Sequence, residues 1–317
     1  MAELESVRVA YGQALAEYGA RNPNVVVLDA DVSASTQSHY FASAFPGRFF
    51  NVGVAEPGMV DVAVGLALAG KVPFVNTFAF LLAFRAAEQV RTCVAYSRAN
   101  VKLAAHYGGL SDSFDGPTHH SISDVAAMRA LPNLAVVVVA DGPEARLAVP
   151  AVAEYPGPVY LRLNRNEVPV LFDERHPFQI GKGVTLRPGG DVAIVAAGVM
   201  VSRSLEAAEE LRKAGIDARV LEMHTVKPLD VDLLLTAASE TGCLVTAEEH
   251  SVVGGLGSAV AEALSERAPV PVVRVGLPDR FAESGPYFAL LDRYGMAVAD
   301  VVGAAKRAIA LRRERAH

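Results

Sequence analysis

Glu56 lies between a strand-like apolar stretch and a helix that opens with Pro57, in the segment NVGVAEPGMVDVAVGLALAG. Its neighbours are small or apolar, so the carboxylate would be drawn out of water at the carboxyl end of a strand, the edge of an open α/β sheet where ligands bind. Two uses compete: a carboxylate held by the free N–H groups and dipole of a helix N-terminus, and an acid–base group that shares a proton with a bound heterocycle. Residues 77–85, TFAFLLAFR, carry three aromatics within seven positions, in a chain with 7% aromatic residues and no Trp. Phe78 and Phe84 are six apart and cannot share one helical stripe, so a helix here starts irregularly. They are either core or the wall of a ring pocket. Residues 108–120, GGLSDSFDGPTHH, gather Asp112, Asp115, His119 and His120 in a polar loop. Adjacent histidines do not suit metal ligation. Ser121 or Ser123 could cap the helix that follows, with Asp124 in its first turn.

These residues need a frame. Apolar runs and amphipathic stretches alternate, which predicts an α/β fold of two domains, each a mainly parallel sheet covered by helices. Strands are expected at 24–29, 48–54, 72–76, 102–105, 134–139 and 159–163, with helices at 57–69, 79–96, 122–130 and 143–152. Residues 168–188 hold three prolines and little periodicity. A first domain, which the resemblance given below makes the pyrimidine-binding one, is placed at 1–170, a linker at 171–188 and a second domain at 189–317. In the second domain, strands are expected at 191–197, 218–223, 243–247 and 271–275, and helices at 202–214, 229–240, 257–267 and 298–310.

The Glu56 segment and the string DGPTH resemble the thiamine-dependent transketolase superfamily. The resemblance implies that Glu56 hydrogen-bonds N1′ of the aminopyrimidine of thiamine diphosphate and favours the tautomer that removes the thiazolium proton. It implies that Phe78, Leu81 and Phe84 bind the cofactor ring, with Leu81 standing where an aromatic is usual. Asp115 and His119 would face the sugar as catalytic residues, and either His106 or Tyr107 would take the place of an upstream histidine; we take His106. Ser113-Phe114 departs from the Gly-Glu that transketolases commonly carry before the aspartate. By the same resemblance Arg8, Ser35 and Arg165 match phosphate contacts, with Arg162 a near competitor of Arg165.

The family's Gly-Asp-Gly metal and diphosphate motif is missing from the chain. Asp141 and Asn164 imitate its spacing but follow a strand of the pyrimidine-type domain, and we do not read them as ligands; no metal site is expected in this chain. The resemblance therefore implies a partner subunit that carries the Gly-Asp-Gly motif, Mg²⁺ and most of the diphosphate grip, in a heterotetramer acting on a sugar phosphate. The segments TAEEHSVVGGLGSAVAEAL and ESGPYFALLDRYGM resemble the transketolase C-terminal domain. There Gly254–Ser258 could bind an anion at a helix start, while Glu249, His250 and Arg280 read as structural. The rival expectations are the β subunit of a 2-oxo acid dehydrogenase, a 1-deoxyxylulose-5-phosphate-synthase-like activity and a non-catalytic regulatory subunit.

Hydrophobic content of 51% and charged content of 20% over 317 residues indicate globular domains. A net charge of −6 gives no electrostatic case for nucleic acid or an anionic membrane. Cys93 and Cys243 form no CxxC pattern, and the first residues carry charge without an apolar core, so a reduced, cytoplasmic protein is expected.

Overall fold

The structure, a computed structural model, describes residues 3–315. Among these residues the chain builds two large sheets and one small one. The first sheet runs Thr225–Lys227, Ala135–Val138, Val159–Arg162, Lys102–His106, Val72–Phe78, Val25–Asp29, Phe49–Asn51, parallel throughout except for its first strand. The second runs Val272–Leu277, Leu244–Ser251, Val192–Ala196, Ala218–Glu222, Val184–Arg187, with only the last antiparallel. VVVLD, AVVV and VAIVA are buried at every position. Helices on both faces of a parallel sheet leave no wet face, so these strands read as continuous apolar runs and not as alternating ones. The α/β fold with mainly parallel sheets is as the sequence indicates.

Four local features depart from the sequence reading. The strand expected at 48–54 is only Phe49–Asn51, preceded by a 3-10 turn at Pro46–Arg48. The single helix expected over 79–96 is broken into two π-helical stretches, Leu81–Arg85 and Gln89–Tyr96. The stretch at 168–188 is not plain coil. Glu167–Pro169 pairs antiparallel with Leu4–Ser6, and Val184–Arg187 closes the edge of the second sheet. Finally, Thr225–Lys227 leaves the second half of the chain and extends the first sheet.

That last strand is one of several ties between the halves. Val138 N–H donates to His224 O at 2.8 Å, and Ser251 N–H to Ile122 O at 2.8 Å. The buried Arg162 donates to Asp124 Oδ2 (2.8 Å), Ser121 O (3.0 Å) and Glu249 O (3.0 Å), which makes it a crossing strut.

Candidate active site

Parallel strands present their carboxyl ends along one edge, and the candidate residues follow it in order. Glu56 comes after Phe49–Asn51, Ser35 after Val25–Asp29, and Phe78 and Phe80 at the end of Val72–Phe78. Tyr107 to His119 follow Lys102–His106, and Arg165 follows Val159–Arg162. A sheet whose order is scrambled relative to sequence thus brings five distant segments onto one rim.

One end of the rim is tightly wired. In the small sheet Ser6 pairs with Glu167, and the helix Val7–Arg21 that carries Arg8 starts directly after this ladder, two residues along the other strand from Arg165. Arg8 Nη1 donates to Ser35 O at 2.9 Å and to Tyr107 Oη at 3.1 Å. Both guanidiniums lie near the Tyr107 ring, 5.8 and 4.8 Å from its centroid, within cation–π range. The turn carrying Ser35 is fixed from below. Buried Asp29 accepts from Val32 N–H (2.6 Å), Thr36 Oγ1 (3.0 Å) and Ser38 Oγ (2.9 Å). Arg165 also pairs with Asp112 and lies 3.7 Å from Asp115 Oδ2. Burial pushes the Asp112 carboxyl up to about 6, helped by its hydrogen bond with Asp115 and opposed by Arg165. Two arginines and a hydroxyl-bearing turn on one rim can grip a phosphate.

His106 does not belong to that grip, which corrects the sequence reading. It is buried completely; its Nε2 is 3.4 Å from Asn76 Oδ1 and its ring meets Tyr11 edge-on at 5.0 Å. Burial lowers it to about 3, with Arg8 adding to the effect, so it is a neutral core imidazole. The strand ends at His106, and Tyr107 turns out of it with a left-handed φ of +63°. Its ring stacks on Phe78, centroids 4.6 Å apart and planes within 11°.

Phe78 and Phe80 flank His119, with centroids at 6.4 and 5.2 Å in edge-to-face geometry. His119 Nδ1 lies 3.0 Å from Thr118 Oγ1, and Asp115 is exposed at the loop tip. Gly116 adopts φ +81°, and a Cβ there would meet Ser284 Oγ at 2.2 Å. The left-handed φ favours glycine there, and a larger residue would also have to turn the Ser284 hydroxyl aside. Gly285 N–H donates to Ser113 O at 3.0 Å, so the ESGPY segment of the second half props the DGPTH loop.

At the other end of the rim, Glu56 opens the helix Glu56–Leu68 and is 1% exposed. Ala55 occupies the cap position and makes no side-chain cap, so Glu56 is not the cap itself. Its carboxylate instead accepts from Arg85 Nη1 at 3.2 and 3.1 Å, and the Arg85 side chain is half exposed. The wide turn at Leu81–Arg85 delivers that arginine; π turns often occur at functional positions. Leu81 is buried whereas Phe84 is 53% exposed. Val54 is exposed just before Glu56, and Val62 and Leu68 are exposed further along its helix. A buried carboxylate beside uncovered apolar side chains can meet a ring nitrogen once something closes over it.

Sequence reasoning gave no site role to Phe80, Arg85 or Asp112. Phe80 was visible as the third aromatic of its segment, while nothing in residue order links Arg85 to Glu56 or Asp112 to Arg165. Asp141 and Asn164 are engaged elsewhere. Asp141 accepts from Glu144, Leu171 and Phe172 N–H groups, and Asn164 donates to Glu249 Oε2 and Tyr287 Oη. The Gly254–Ser258 turn is filled by the chain itself, because Glu248 accepts from Leu256 and Gly257 N–H at 2.7 and 2.8 Å. Glu249 is a buried hub: Leu110 N–H donates to it at 2.8 Å, Tyr287 Oη at 2.8 Å and Asn164 Nδ2 at 3.2 Å. His250 bridges Ala126 N–H (3.3 Å) and Ser251 O (2.8 Å), and Arg280 packs over the Tyr294 ring at 4.9 Å. Among the described residues no helix is long and apolar enough to cross a membrane.

Comparison with known proteins agrees with this architecture. Residues 5–170 match the transketolase pyrimidine binding domain and residues 181–301 the transketolase C-terminal domain. The chain is 43% identical over 299 residues to the 6-deoxy-6-sulfo-D-fructose transketolase subunit SqwH of Clostridium sp. (strain MSTE9), covering 94% of this chain and 93% of that one. It is 38% identical over 290 residues to a subunit of the apulose-4-phosphate transketolase of Phocaeicola vulgatus, covering 91% and 93%. A solved structure described as a split gene transketolase, inactive beta4 tetramer, superposes with a TM-score of 0.89 at 49% identity, covering 97% of this chain and 99% of that one. The transketolase of Leishmania mexicana shares the fold with a TM-score of 0.81, this chain spanning 46% of it. The chain belongs to the transketolase family, as a relative of its split subunits that carries the pyrimidine-binding and C-terminal domains.

Proposed function

We propose that this chain is the pyrimidine-side subunit of a two-component transketolase that moves a two-carbon ketol unit between phosphorylated sugars. The observation that carries this reading is the single rim on which buried Glu56, the Phe78–Tyr107 stack, His119 and the Arg8–Arg165 pair are assembled from five segments. These residues fit thiamine diphosphate: an acid for a ring nitrogen, aromatic faces for a ring, and apolar surface awaiting cover. When bound, the cofactor supplies a nucleophilic carbon and an electron sink, which amino-acid side chains do not provide.

The chain's own residues then act as follows. Glu56 holds a proton at the pyrimidine N1′, and its burial keeps water from competing for it. For this Arg85 must release at least one carboxylate oxygen. Phe78, Phe84 and Leu81 bound the pyrimidine. His119, turned inward by Phe78 and Phe80, donates to developing negative charge on the sugar oxygens, and Asp115 orients a hydroxyl. Arg8, Arg165 and the Ser35 turn bind the terminal phosphate. Mg²⁺ and the diphosphate are held by a second polypeptide that carries the Gly-Asp-Gly motif, in an assembly of two copies of each subunit. Support comes from relatives themselves named as subunits and from a split relative whose tetramer of one subunit is described as inactive.

The test is reconstitution. The purified chain and the candidate Gly-Asp-Gly subunit are mixed with thiamine diphosphate and Mg²⁺, and ketol transfer from a phosphorylated ketose is followed. We expect activity only in the mixture. Activity of this chain alone, or turnover of a 2-oxo acid with a lipoyl acceptor in place of a sugar, would overturn the proposal.

A further inference from the structure

Away from the rim, three side chains meet in the junction between the halves. Glu144 comes from the helix Gly142–Glu154, His176 from the connecting segment, and Glu222 from the end of the strand Ala218–Glu222. Each offers one ligand atom, and these atoms all lie within 4.8 Å of one another. His176 Nε2 is 2.8 Å from Glu222 Oε2 and 4.0 Å from Glu144 Oε1. The glutamate side chains are fully buried and that of His176 is 5% exposed.

The group is under-satisfied. Among the described residues Glu144 Oε1, His176 Nε2 and both carboxylate oxygens of Glu222 lack a partner in hydrogen-bond geometry. Glu144 Oε2 is used by Ala140 N–H, and nearby Asp141 is occupied by three backbone N–H groups. Beside the cluster His224, whose Nδ1 is 2.9 Å from Thr225 Oγ1, keeps its Nε2 buried without a partner. Two ionised glutamates here would face only one imidazole, and uncompensated buried charge is costly. Consistently, burial raises Glu144 well above the ordinary carboxylate range, reinforced by Glu222, and raises Glu222 to about 7. Burial also lowers His176, leaving it the neutral imidazole that a metal prefers.

We propose that Glu144, His176 and Glu222 form a divalent transition-metal site, taking Zn²⁺ or Mn²⁺, that staples the connecting segment to both halves. One imidazole and two carboxylates form a donor set suited to such ions. At bonds of about 2.0–2.2 Å, tetrahedral ligand atoms lie roughly 3.3 Å apart. The 2.8 and 4.0 Å separations from His176 need shifts of under an ångström, and the two glutamate oxygens, within 4.8 Å of each other, must close by up to about 1.5 Å. The bound ion would stand in place of the protons that the carboxyls otherwise hold. This site is separate from the Mg²⁺ assigned to the companion subunit, since its ligands lie in the junction between the two halves and not on the catalytic rim.

The experiment uses the full chain, untagged, without companion subunit or thiamine diphosphate, stripped with chelator and then titrated with Zn²⁺, Mn²⁺ or Mg²⁺. We expect about one equivalent of Zn²⁺ or Mn²⁺ retained on desalting, with melting raised by roughly 5 °C at a hundredfold excess over Kd, and little response to Mg²⁺. His176→Ala and Glu222→Gln should each abolish retention and the shift. Should one variant fail to fold, the other serves, because His176 lies on a connecting segment and Glu222→Gln preserves side-chain shape. Two results overturn the site: no stoichiometric metal in the wild type, or metal retained equally by both variants. The first leaves a proton shared between Glu144 and Glu222, and the second places the ion elsewhere.

Discussion

The two ends of the rim are built on different principles. The Arg8–Ser35–Tyr107–Arg165 end is closed within one chain: its guanidiniums are seated on an aromatic ring, paired with Asp112 and held by a backbone carbonyl. The Glu56 end is unfinished. Its carboxylate is buried, yet Val54 and Phe84 beside it, and Val62 and Leu68 further along its helix, face water. Exposed apolar side chains gathered beside a functional group mark surface that a partner covers. On the proposed function, this polypeptide organises substrate recognition before assembly, whereas cofactor activation waits for a second one. In the same reading Arg85, which pairs with Glu56, keeps a buried carboxylate compensated until the site is completed.

The sharpest way to break this comparison is Glu56→Gln. In the reconstituted enzyme it should lower kcat by about 10²–10⁴-fold, the usual worth of a positioned acid–base group. Melting temperature and subunit association should stay near wild type. Retained turnover would remove Glu56 from the chemistry. Next in size, Val62→Asp combined with Leu68→Asp should weaken association with the companion subunit by about a hundredfold or more in sedimentation experiments, because charges placed in an apolar contact oppose burial. Both positions are exposed, so circular dichroism should be unchanged; unaltered association would show that this face is not the covered one.

The closed end gives a smaller effect of another kind. Arg165→Ala should raise KM for a phosphorylated ketose by roughly 10–100-fold and leave kcat within about twofold, the pattern of lost uniform binding. An unphosphorylated ketose should scarcely notice the change. An equal loss for both sugars would move Arg165 from phosphate binding to structure.

The smallest effect concerns the support beneath the rim. Burial holds Glu249 up at about 7, while Arg162, Tyr287 and Leu110 N–H pull it down. A carboxyl raised in the fold keeps its proton longer than in the unfolded chain. Its contribution to stability is therefore full below about pH 4.3, the unfolded value, and is lost as pH rises through about 7. Glu249→Gln should flatten the decline in stability between about pH 5 and 7 by at most about 1.4 kcal/mol per pH unit. The decline will not vanish, because Glu222 is raised as well. Identical pH profiles for variant and wild type would show that Glu249 does not titrate in this range.

Much of this molecule is readable from residue order. Runs such as VVVLD and VAIVA indicate strands buried on both faces, since only a continuous apolar stretch satisfies two covering layers. Glu56 stands out because a carboxylate among small and apolar neighbours at a strand-to-helix turn is chemically unusual, and DGPTH because its glycine and proline declare a shaped loop. The loss of one helix into two π stretches was not readable. The apolar pattern of 79–96 fits a helix, and the wider turns that aim Arg85 at Glu56 come from packing.

What the sequence determined by itself is local: strand and helix types, the residues capable of acid–base and phosphate chemistry, and the absence of a Gly-Asp-Gly segment from this chain. What only the tertiary structure decided is which of them meet. Tyr107 and not His106 meets Arg8, Arg165 and Phe78, because the chain leaves the strand at Tyr107 through a left-handed φ of +63°. Arg8 and Arg165 meet over the Tyr107 ring, beside a three-residue ladder that joins the two ends of the first half. Glu144, His176 and Glu222 converge from a helix, a connecting segment and a strand with no spacing motif to announce them. Proximity of this kind arises from strand order and domain docking, long-range effects that no periodicity in the chain encodes.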